Sequence, residues 1–157
     1  MKTIIACVAA AAGVITAAQF MYVLPIHATV AVLTILTVVA ADLIGLRWIL
    51  GRGQIPQKTT KILHAIIYVG LTTMIVSGAI MFWGMSDYLL ESPAFLLKMI
   101  MVFALVVNSY FIHRHMHIAM ETEFKNLSTK EKIHMFVSAG VSTTAWVGSY
   151  ILAQLLF

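Results

Sequence analysis

From Lys61 to Trp83 the chain reads KILHAIIYVGLTTMIVSGAIMFW, a run of more than twenty residues that holds no acid and whose only basic members are Lys61 and His64. Inside a bilayer such a stretch has no water to satisfy its backbone amides and must close their hydrogen bonds as a helix. The rest of the chain is written in the same way. With 61% hydrophobic and 10% charged residues and a mean hydropathy of +0.97, it has too little polar surface for a water-soluble domain. The expected fold class is all-α, a polytopic integral membrane bundle whose first partner is the lipid bilayer. The formal charge of +4 is too small and too scattered to be a nucleic-acid footprint. Cys7 is the only cysteine, so no internal disulfide forms and no redox compartment can be read from it.

Breakers and caps divide the chain into five expected spans, at about 3–24, 26–50, 60–84, 94–117 and 130–156. The first has the basic start and apolar body of a secretory signal, with Thr16-Ala17-Ala18 as a cleavage motif, but its apolar run continues through Phe20 and Met21. It reads as a retained span with Ala9, Gly13 and Ala17 as a packing stripe. Pro25 should separate it from the second span, and GRGQIPQKTT is a turn. The segment SDYLLESP is a second connection, ending in Pro93 at the start of a helix. Ser128 and Glu131 form a capping box ahead of the last span, in which Gly140, Thr144 and Gly148 repeat at packing distance.

Lys2, Arg47, Arg52, Lys58, Lys61, Arg114, Lys125, Lys130 and Lys132 all fall on one side of this arrangement, and Lys98 alone falls toward the other. By the positive-inside rule the amino terminus and the basic loops are cytoplasmic, in the cytoplasmic (inner) membrane of a prokaryote. Trp48, Trp83 and Tyr88 lie near span ends, as an aromatic belt requires.

At about 1.5 Å per residue, Asp42, His64, Asn108 and His113 fall in one layer about a third of the way in from the cytoplasmic side. A carboxylate there must be paired, protonated or hydrated, and His64 is its natural partner. Three readings stay open: a hydrogen-bonded packing knot, a proton relay through Asp42 and His64, or a site built with the nearby His113 and His117. An i,i+4 histidine pair suits a metal ion, with His64 or Asp42 to complete the site. Ten methionines admit copper but read mostly as core fillers. On the outer side stand His27, with no histidine partner in its layer, and Lys98, which either snorkels or contacts a polar ligand headgroup.

Lys61, His64, Ser77 and Gly78 together resemble the first haem-carrying helix of the membrane cytochrome b subunits of formate dehydrogenases and nickel hydrogenases. In that family a basic residue stands three before a histidine, and a Ser-Gly pair follows thirteen and fourteen residues after it. Gly78 falls within about 40° of the face of His64 at 100° per residue, leaving room beside a flat ring. The chain departs from the family at Ala65, where Trp is usual, and in lacking a second pair of ligands on the outer side. The resemblance implies one haem b near the cytoplasmic face, ligated by His64 and His113 with His117 as substitute, its propionates met by Lys61 and Arg114.

Three functions follow as expectations. One is a small cytochrome b-like electron-transfer protein, passing electrons to quinone or a partner subunit. Another is a cofactor-free structural or accessory subunit of a membrane complex or homo-oligomer. The last is a proton-coupled transporter or channel using Asp42 and His64.

Overall fold

A computed structural model gives the fold; it describes the backbone of residues 2–51 and 55–156, and side chains from residue 21 onward within them. These residues form four α-helices: α1 Lys2–Ile49, α2 Gln57–Glu91, α3 Pro93–Glu121 and α4 Thr129–Gln154, with a short 3-10 turn at Phe124–Asn126 before α4. All four are long and apolar enough to cross a membrane, α1 through its segment Met21–Ile49. Large apolar side chains face outward along every helix, Val69 at 67% and Phe103 at 69% exposure among them. In water such a surface would aggregate; against lipid tails it has no cost.

The expected break at Pro25 does not occur. Residues 2–49 form one helix of 48 residues with Pro25 inside it, about 72 Å long at 1.5 Å per residue, where about 30 Å of hydrocarbon has to be crossed. A reversal needs a few residues of turn chemistry, and here a lone proline stands between Leu24 and Ile26. Losing one backbone bond within a helix costs less in lipid than opening several. Ala9, Gly13, Ala17 and the Thr16-Ala17-Ala18 motif lie where side chains are outside the described residues.

SDYLLESP is also more helical than expected. α2 kinks at Met85 (φ −136°, ψ 21°) and continues to Glu91, because nothing between Gly84 and Pro93 breaks a helix and Leu89 has a core to enter at 6% exposure. The reversal is then left to Ser92, whose Oγ accepts from the Phe95 amide while Pro93 opens α3. At the end of α1, Gly51 takes φ +68°, a left-handed conformation in which its amide bonds back to Trp48. Ser128 and Glu131 cap α4 reciprocally.

α1 packs chiefly on α2, and α3 on α4; contacts between the two hairpins are sparser. The first seam closes where Thr34, at 2% exposure the most buried side chain, lies directly over Gly70, leaving no space for a Cβ. The core between the hairpins is Val38, Leu71, Leu105, Ala145 and Trp146. On α4 the buried face is Ser138, Ser142, Ala145, Trp146 and Ser149, not the expected Gly140-Thr144-Gly148 stripe. Gly140 faces open space, and only Gly148 meets a neighbour, Met101.

The basic helix ends gather at one end of the bundle. Gln57 Nε2 donates to the Met120 carbonyl at 3.4 Å, and Lys132 stands 5.3 Å over the Phe124 ring. Lys125 meets Glu123 at 2.7 Å, which holds its ammonium above the usual lysine range. Trp48, expected in an aromatic belt, is instead buried edge-on against Phe124 at 5.3 Å. Trp83, 88% exposed, and Tyr88, 58% exposed, do face outward.

Candidate functional site

The expected polar layer separates into independent pairs. Asp42 accepts from Thr143 Oγ1 of α4 at 3.3 Å. Asn108 donates through Nδ2 to the Ser138 carbonyl at 2.8 Å and accepts from Ser138 Oγ at 2.7 Å, a reciprocal and buried α3–α4 link. The half-buried His64 donates from Nδ1 to the Thr60 carbonyl one turn earlier at 3.0 Å, leaving Nε2 to face outward from that bond. No hydrogen bond or ion pair joins Asp42, His64 and Asn108 to one another among the described residues. The partners of Asp42 and Asn108 are hydroxyl-bearing residues of α4, which look like ordinary helix positions in the sequence.

Lys61, His113, Arg114 and His117 are exposed at the basic end. His117 pairs with Glu121 at 3.3 Å. His115, on the same helix, meets His134 edge-on at 5.8 Å. Among the described residues no group of three or more His, Cys, Asp or Glu side chains is placed to hold a metal ion.

The other end of the bundle holds what the sequence did not assemble. Where the two hairpins part, a cavity of about 540 Å³ opens between all four helices, within the range of small-molecule sites. Its walls are almost wholly apolar, with Phe82 of α2 stacked on Phe95 of α3 at 5.6 Å and Trp146 closing the inner end. Ile75, Leu90 and Leu96 line it while remaining 43%, 55% and 47% exposed, so it is open sideways to the bilayer.

Its basic groups are His27 of α1 and Lys98 of α3, and no acid lines it among the described residues. The His27 ring is fixed by its neighbours. The Ser77 hydroxyl, with one proton, donates to the Thr73 carbonyl at 2.7 Å; in that arrangement the 2.7 Å contact between His27 Nδ1 and Ser77 Oγ is donated by Nδ1–H. Nε2 keeps its lone pair, and no hydrogen bond engages it among the described residues. The ring lies over Gly78, where a Cβ would stand in ordinary contact with His27 Cε1 at 3.6 Å. Ser149 Oγ, in a residue 5% exposed, has no hydrogen-bond partner among the described residues and lines the same cavity.

Ser77 thus serves His27 from the opposite helix, fifty residues away in sequence, with Gly78 beside the ring. Depth alone placed His27 and Lys98 on one side, and that was the signal available. It could not show that the hairpins part between them. No protein-family model, curated protein or solved structure matches this chain.

Proposed function

We propose that the chain is an integral membrane protein, its basic end cytoplasmic, which takes a lipid-soluble ligand into the cavity between its two hairpins. One observation carries the reading. An apolar cavity of about 540 Å³ brings together Lys98 and His27, whose Nε2 has no hydrogen-bond partner among the described residues. Unsatisfied polar groups in a hydrocarbon setting favour a ligand that satisfies them. The test is solvent extraction and mass spectrometry of protein purified in dodecyl maltoside. A lipid-soluble molecule should be retained stoichiometrically and lost from Ala31→Phe, which fills the cavity. An extract that is the same for both proteins would refute the reading.

A second reading, an electron-transfer protein holding one haem b at the basic end, draws on the pinned His64 ring. A histidine whose Nδ1 is held by a carbonyl presents Nε2 for an axial bond, and Lys61 stands one turn earlier to meet a propionate. His113 and Arg114 would complete that site from α3, and quinone or a partner subunit would take the electron. Its test is an absorption spectrum. A Soret band abolished by His64→Ala supports it, and a colourless, iron-free protein refutes it.

A further inference from the structure

We propose that the ligand of the cavity is a long-chain carboxylic acid whose head sits between Lys98 and His27 and whose tail lies along the apolar wall toward Trp146. The inference rests on the cavity reading above and adds the chemistry of the head.

Charge comes first. Lys98 stands five residues past Pro93, inside a helix that crosses the membrane, and it lines a cavity with no acid among the described residues. The ion pairs among the described residues are His117–Glu121 and Lys125–Glu123, both at the basic end. An ammonium held in hydrocarbon is costly unless it is paired or reaches water. Among the described residues no acid pairs with Lys98, and the proposed ligand supplies that counter-charge.

Hydrogen-bond roles then narrow the head. With Nδ1–H committed to Ser77, Nε2 can only accept until it is protonated. A quinone offers acceptors alone, so it would satisfy Lys98 and leave Nε2 facing another lone pair. An alcohol or quinol supplies a donor and no negative charge. A carboxylic acid has both. It leaves the bilayer as neutral RCOOH, its O–H directed at Nε2 and its carbonyl oxygen accepting from Lys98. Transfer of that one proton to Nε2 leaves a carboxylate between an ammonium and an imidazolium; the net charge stays at +1, as before the transfer, and no other reactant is required.

The tail follows from shape. The lining runs from Leu89 and Leu90 at the open end to Leu71 and Leu105 in the core, a slot that suits one chain.

Trp146 reports the test directly, because it lines the cavity at 4% exposure. In a Trp48→Phe, Trp83→Phe background in dodecyl maltoside, 9,10-dibromostearic acid should quench Trp146 saturably. Its methyl ester, which has neither the proton nor the charge, should bind about tenfold or more weakly, as should the acid to Lys98→Met. That is the size of one charge-assisted hydrogen bond. Lys98→Arg should retain binding of the acid within a few-fold. Equal quenching by acid and ester would overturn the carboxylate head and leave the cavity reading standing. No saturable quenching by either would overturn both. If Lys98→Met fails to fold, the comparison of acid with ester on the unaltered cavity decides alone.

Discussion

Asn108 and Ser138 provide the sharpest test of how the inner polar groups are organised. If they are a closed pair, removing either should be felt by the other and by no third residue. Both are buried, at 6% and 7% exposure, and exchange bonds of 2.8 and 2.7 Å. Asn108→Ala removes both bonds. Ser138 Oγ can recover by turning to the carbonyl four residues earlier, as Thr34 does toward Val30 at 2.7 Å, so the loss stays modest. Interhelical hydrogen bonds in membranes couple by about 0.6 kcal/mol on average and about 1.7 at most; this reciprocal, buried pair should fall in the upper half of that range. The assay is a double-mutant cycle over Asn108→Ala and Ser138→Ala, read by reversible unfolding in mixed micelles. A second cycle pairs Asn108→Ala with Asp42→Asn, and a third pairs it with His64→Ala. The latter two should be additive within about 0.5 kcal/mol, since neither residue shares a bond with Asn108. Coupling to Asp42 or His64 as large as to Ser138 would refute the separate pairs and restore a single knot.

Gly70→Val should destabilise by about 1–3 kcal/mol by overpacking, because the new side chain meets Thr34, and Thr34→Ala should recover much of that loss in the same unfolding assay. Gly140→Ala, facing open space, should stabilise α4 by up to about 1 kcal/mol through helix propensity, although the sequence groups it with Gly148 as a packing position. Ser128→Ala removes the side-chain half of the capping box, leaving the backbone N–H of residue 128 to donate to Glu131, and should cost about 1 kcal/mol, visible as fraying at the start of α4 in hydrogen exchange. In a Cys7→Ser background, a cysteine replacing Lys125 should react with an impermeant reagent only from the cytoplasmic side and one replacing Tyr88 only from the outside. A tag placed ahead of Lys2 should follow Tyr88, since α1 does not reverse; a tag following Lys125 would show that the chain turns back at Pro25 after all.

What the sequence determined by itself is the set of properties that depend on local composition. Runs of apolar residues require helices in lipid, Pro93 and the Ser128-Glu131 box start two of them, and the lysines and arginines of the loops after α1 and α3 collect at one end because charge stays near water, whereas the unbroken α1 takes Lys2 away from them. Pro25 marks the limit of that reasoning, because whether a proline breaks a helix depends on what else could take up the chain's direction. The tertiary structure decided how polar groups are paired, since partners lie on helices distant in sequence: Asp42 with Thr143, Asn108 with Ser138, and His27 with Ser77. Ser77 and Gly78 show the difference most clearly. Their spacing from His64 is a one-dimensional fact that suggests room for a ring on their own helix. In three dimensions that room belongs to His27, because α1 crosses there, and the space left beside it exists only because two hairpins, each closely packed within itself, part toward the end away from the basic loops.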